Sequence, residues 1–163
     1  MKVLGNMVKA GDLLAGALCA EEARARLSDY LAGMIGNGRV RANFRAFSKE
    51  AISAQQELID SHKGLFPCPR EGNDFCKACR ANPESFSLAG ALQYGVELSR
   101  EGIACYKRLS RGARHTDTKK RLGRLLAQQK RYQKFLTREQ RFDRSENEIF
   151  SLGFSTKESI LDS

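Results

Sequence analysis

A chain of 163 residues is one domain's length and can bury a real core without disulfides or metals to hold it. Three prolines and no tryptophan fit a helical protein, and no apolar run approaches the roughly eighteen residues of a membrane span, which excludes an integral helical membrane protein and makes the cytoplasm the expected location. The formal charge of +9 is unevenly placed: residues 100–141 hold fourteen Lys and Arg against Glu101, Asp117 and Glu139, whereas residues 142–163 are net acidic.

Four amphipathic segments follow in chain order. The first spans residues 13–34, with Asp12 placed to cap it and Gly36-Asn37-Gly38 to end it. Its inward stripe is Leu13, Ala17, Ala20, Arg24, Leu27 and Leu31, with Arg24 the odd member. A second helix over residues 39–62 carries Val40, Phe44, Phe47, Ala51, Ala54 and Leu58, and stops at Gly64. Asn82-Pro83 reads as the start of a third, which presents Leu88, Leu92, Val96, Ser99, Ile103 and Tyr106 before Gly112. The fourth begins near Thr116 or Asp117 and runs to residues 136–140, with Leu122, Leu125, Leu126, Gln129, Gln133 and Leu136 on one stripe and Tyr132 at its margin.

Short connections at residues 34–39 and 112–117 make two antiparallel hairpins, and residues 64–81 form a long crossover between them. The predicted fold is therefore an all-α four-helix bundle over residues 1–141. Residues 142–163 lack a sustained period and read as a polar acidic tail, either disordered or docked on the bundle.

With both hairpins laid out, residues 13–61 and 91–133 resemble the rubrerythrin branch of the ferritin-like superfamily. Ser99-Arg100-Glu101-Gly102-Ile103-Ala104-Cys105-Tyr106 is similar to that family's Glu-x-Glu-Gly-x-x-x-Tyr, with serine at the ligand glutamate. Leu126-Ala127-Gln128-Gln129-Lys130-Arg131-Tyr132 is similar to its Leu-Ala-x-Glu-x-x-His, with Gln129 and Tyr132 at the two ligand positions. Ala20, Ala23 and Arg24 fall where the family has Glu, Ala and Arg, and Phe47, Ala51, Ala54 and Glu57 where it has Phe, Ala, Glu and His.

The resemblance implies a di-iron centre, but the implied ligand set reads Ala20, Ala54, Glu57, Ser99, Gln129 and Tyr132, and one carboxylate cannot bridge and neutralise two irons. The expectation is a degenerate site with no cofactor in the bundle and no catalytic residue. Arg24 and Glu57 then either pair across the interior, with Gln129, Tyr132 and Ser99 satisfying the remaining groups, or sit at the rim. The alternative is a metal-dependent oxidoreductase or iron-storage protein whose site uses Glu57, Glu97, Glu101 and Tyr132.

The crossover spaces its ligand-type residues as His62-x5-Cys68-x7-Cys76-x2-Cys79, a Cys3His set that can close a tetrahedron around zinc or hold iron. A Cys76–Cys79 thiol switch, inert thiols and a loop-closing bridge are the competing readings. Cys19 and Cys105 read as core or boundary residues.

Lys107, Arg108, Arg111, Arg114, Lys119, Lys120, Arg121 and Arg124 gather where the third helix turns into the fourth. That tip suits an acidic partner or simple solvation with the acidic tail as shield, whereas no stacking or recognition motif points to specific nucleic-acid binding. Together these features predict a non-enzymatic protein-binding or structural partner, either a homo-oligomer or the companion of a related ferritin-like chain.

Overall fold

The computed structural model describes the backbone of residues 2–62 and 81–161 and the side chains of residues 13–61 and 81–146. Helices α1 (Lys2–Met34), α2 (Gly38–His62), α3 (Leu88–Gly112) and α4 (Thr116–Leu161) are joined by a short 3-10 turn, Pro83–Ser85, ahead of α3. No strand occurs among the described residues.

Local chemistry explains most boundaries. Asn37 ends the turn after α1 by accepting from the Arg39 and Val40 amides at 3.0 and 3.2 Å, which caps the start of α2. Asn82 and Pro83 were expected to open the third helix; they start the 3-10 turn instead, with Asn82 accepting from the Glu84 amide at 3.2 Å. The helix proper begins six residues after Asn82, where Ser87 accepts from the Gly90 amide at 3.2 Å. Nothing separates residues 142–161 from α4, which continues through them as one helix.

The helices pack as two antiparallel hairpins, α1 with α2 and α3 with α4, and α1 also lies against α3. Two apolar layers show the relative directions. One joins Leu14 and Ala17 of α1, Leu58 of α2, Leu109 of α3 and Leu122 of α4. The other joins Leu27 and Leu31, Phe44 and Phe47, Leu92 and Val96, and Leu136. Early α1 therefore meets late α2, late α3 and early α4, so α2 ends at one end of the bundle and α3 starts at the other.

Because α1 is covered by both α2 and α3, its buried residues spread beyond one stripe, and small side chains at Ala15, Ala17, Ala20, Ala23, Ala25 and Ala32 permit the close approach. Gly95 serves the same purpose on α3: a Cβ there would lie 2.9 Å from methyls of both Leu27 and Leu136. Aromatic rings fill the layer near the α1–α2 turn, with Phe47 edge-on to Tyr132 at 5.0 Å and Phe44 edge-on to Phe135 at 5.2 Å. No described helix is long and apolar enough to cross a membrane.

The direction of α4 also corrects the expected shielding of the basic tip. That helix leaves the tip at Thr116, and residue 142 lies about 39 Å of helix rise away, towards the opposite end. The acidic stretch is carried away from the cations it was expected to cover.

Candidate functional site

Between the two apolar layers sits a polar level. Among the described residues the buried polar and charged side chains are Glu21, Arg24, Ser28, Ser48, Ser99 and Gln129, joined by the phenols of Tyr106 and Tyr132, which are both fully enclosed. All four helices contribute to this level, since a residue every third or fourth place on each helix faces inward.

Glu21 is its centre. Its Oε2 accepts from Arg24 Nε at 2.7 Å, one turn along α1. Its Oε1 accepts from the Tyr106 hydroxyl of α3 at 2.7 Å and from Gln129 Nε2 of α4 at 3.0 Å. Three donors to one buried carboxylate are what low dielectric demands of a charge withdrawn from water. A Cβ on Gly102 would lie 3.0 Å from Gln129 Nε2, so the glycine is what allows that amide to reach between α3 and Glu21. Beside this group, Ser28 donates to the Tyr132 hydroxyl at 3.0 Å, and the Arg24 guanidinium lies 5.5 Å from the centre of the Tyr132 ring.

Arg24 is 1% exposed, so it does not reach solvent along its stem, and its partners are not the expected one. Its Nη1 faces Glu50 Oε2 at 3.7 Å, and neither Nη1 nor Nη2 has a hydrogen-bond partner. Glu57 turns outward and accepts from Arg124 at 2.9 Å, with both side chains substantially exposed. The expected Arg24–Glu57 pair is thus replaced by Arg24–Glu21 inside and Arg124–Glu57 outside, because Glu21 lies one turn from Arg24 on the same helix and reaches it without crossing the bundle.

The other anticipated ligand positions are brought to the interior as expected of a single inward level. Ala20 and Ala54 are 3% and 1% exposed and present only methyl groups. Ser99 is 1% exposed, and its hydroxyl turns back to the Gly95 carbonyl at 2.8 Å instead of facing the centre. Gln129 leaves its Oε1 without a partner. Tyr132 is fully buried rather than marginal. Glu97 and Glu101, the carboxylates of the alternative metal site, are both exposed, and Glu97 takes a hydrogen bond from Gln93.

Burial raises the pKa of both phenols, making them weaker acids. Tyr132 is pushed up to about 12, with its bond from Ser28 and the nearby Arg24 charge opposing the shift. Tyr106 is raised further, by burial first and then by the charge and hydrogen bond of Glu21. Cys105, half-buried on α3, is also raised by burial and by Glu101; neither it nor Cys19 forms a disulfide. Both phenols are therefore neutral hydrogen-bond donors or acceptors at physiological pH.

A di-iron group does not fit these residues. Glu21 is the sole fully buried carboxylate among the described residues, and both of its oxygens are already engaged. A guanidinium 2.7 Å from it already neutralises this carboxylate and would repel added metal cations, and no imidazole faces this level among the described residues. No group of three His, Cys, Asp or Glu among the described residues could hold a metal ion. Cys68, Cys76 and Cys79, with the His62 side chain, lie outside the described residues.

Sequence reasoning missed Glu21, Glu50, Ser28 and the part played by Tyr106. The available signal was Glu21 three residues before Arg24, a spacing that places an acid and a base on one helix face. It was obscured because Glu21 lies one residue off the stripe drawn through Ala20.

No protein-family model and no curated protein sequence matches this chain. Among solved structures it is similar to a dodecameric thioferritin, the bacterioferritin-related protein of Bacteroides fragilis, with a TM-score of 0.71 and 18% identity, over 88% of this chain and 91% of that one. At that identity the likeness speaks for architecture alone. The fold of this chain is accordingly that of a ferritin-like four-helix bundle.

Proposed function

We propose that this protein is a non-catalytic ferritin-like bundle that serves as a protein-binding, structural or regulatory partner. The observation that carries this reading is the Arg24–Glu21 ion pair, with Tyr106 and Gln129 closing over it, at the level where the resemblance to rubrerythrins implies two metal ions. The arrangement consumes the carboxylate that a metal would need and offers no acid–base pair beside an open cavity.

Self-association belongs to the same reading. Ile52 and Ile59 are seven residues apart on the outer side of α2, two turns along one face, and are 58% and 38% exposed. A dodecamer is what the thioferritin of similar fold forms. Size-exclusion chromatography with light scattering should show an oligomer that Ile52→Lys with Ile59→Lys dissociates.

Elemental analysis of the freshly purified protein, followed by ferrous iron titration, tests the proposal. The bundle should take up no iron with carboxylate-bridged absorption. Two irons per chain with that spectrum would restore the oxidoreductase or storage alternative. Zinc or iron at His62, Cys68, Cys76 and Cys79 is a separate proposal resting on their spacing alone. About one zinc per chain, lost on Cys76→Ser with Cys79→Ser, would bear it out.

A further inference from the structure

α2 and α4 approach each other less closely than the other neighbouring helices, and a groove of about 940 Å³ runs between them. Five cations line it, Lys130, Arg131, Lys134, Arg138 and Arg141, against the single carboxylate of Glu50. Lys130, Lys134, Arg138 and Arg141 succeed one another at steps of three or four residues, so they form one row about 16 Å long on α4. Among the described residues Lys130, Lys134 and Arg141 have no ion-pair partner, and Arg138 has only Glu139 at 3.7 Å.

From these features we propose that the α2–α4 groove is a docking site for an acidic amphipathic helix of a partner protein. This rests on the binding-partner reading above and names the surface and the chemistry of the partner. Glu50 shows how a carboxylate is received there: it is paired on its outer side with Arg131, while its other oxygen faces buried Arg24 at 3.7 Å. The remaining four cations offer the same reception to carboxylates supplied from outside, and their spacing matches acidic residues at every third or fourth place of a facing helix.

The floor of the groove decides the partner's class. Phe47 and Phe135 lie there with ring centres 5.3 Å apart, and the Arg138 guanidinium covers Phe135 at 4.9 Å from its centroid. Phe47 is also edge-on to Tyr132, and Phe135 to Phe44. Phe47 is buried and Arg138 lies over Phe135, which leaves no open pair of ring faces for successive bases, whereas Phe135 with Ala46 gives aliphatic side chains an apolar contact. A row of cations beside an apolar floor therefore favours a helix with acidic and aliphatic faces over a polynucleotide.

The test uses the full chain and a fluorescent synthetic peptide of about sixteen residues, helical, with glutamates along one face and leucines beside them. Its anisotropy is followed with the unaltered protein, with Lys130→Glu/Lys134→Glu/Arg141→Glu, and with Lys107→Glu/Arg111→Glu/Lys119→Glu at the α3–α4 tip. The two variants carry the same net charge, and circular dichroism melting verifies that both are folded. The groove variant should weaken binding by about tenfold or more and the tip variant by about twofold or less. Equal weakening by both would overturn the proposal in favour of diffuse charge. Failure of the peptide to bind at low salt, or its displacement by an oligothymidylate that binds more tightly through the same residues, would also overturn it. Metal content decides the underlying reading independently, so a metal-free protein that ignores the peptide refutes the groove alone.

Discussion

Arg24 and Glu21 are each other's condition for burial. Arg24→Met leaves Glu21 charged in an interior that has lost its cation, and should lower stability by about 3 kcal/mol in urea titration. Changing Glu21→Leu together with Arg24→Met removes both charges and should recover most of that loss. A double variant no better than Arg24→Met alone would mean that the remaining polar partners, Tyr106 and Gln129, set the cost. The phenols give a pH signature. The unfolded chain ionises tyrosine near pH 10, whereas folded Tyr132 holds its proton to about 12, so stability is complete below pH 10 and falls as pH rises towards 12. Tyr132→Phe should flatten the stability-versus-pH curve in that window by up to about 1.4 kcal/mol per pH unit relative to the unaltered protein.

Within the helices, two glycines separate propensity from packing. Gly123 on α4 faces open space, so Gly123→Ala should stabilise the protein by about 0.5–1 kcal/mol through helix propensity. Gly95 has leucine methyls 2.9 Å from where a Cβ would sit, and Gly95→Ala should cost about 1–3 kcal/mol of overpacking, outweighing the same propensity gain. Thermal melts of the two variants should therefore shift in opposite directions. The apolar period already placed α2 and the bundle part of α4 within a residue or two. It failed at the start of α1, which begins at Lys2 and holds Asp12 within the helix instead of at its cap, at the start of α3 because Asn-Pro is a turn opener as well as a cap, and at the end of α4 because a helix leaving the core no longer needs an apolar stripe.

At the scale of the molecule, a charge of +9 has a specific geometry: one row of cations flanks a groove, while others cluster at a helical tip. Binding to the acidic peptide should weaken steeply between about 50 and 200 mM salt if exposed pairs drive it. Truncation after residue 141 should leave the melting temperature unchanged, because both apolar layers formed by the described side chains lie N-terminal to that point.

The sequence alone determined four helices and two hairpins, because helical periodicity and turn chemistry are local properties legible over a few residues. Ala20, Ala54, Ser99 and Gln129 were all correctly placed inside on that basis. Only the tertiary structure decided that Glu21 joins Tyr106 and Gln129, 85 and 108 residues away, and that Glu57 does not join Arg24. Periodicity fixes which face of a helix points inward, but the partner met there depends on how the helices are rotated and offset against one another. Packing of whole layers sets that offset, and with it the width of the groove between α2 and α4.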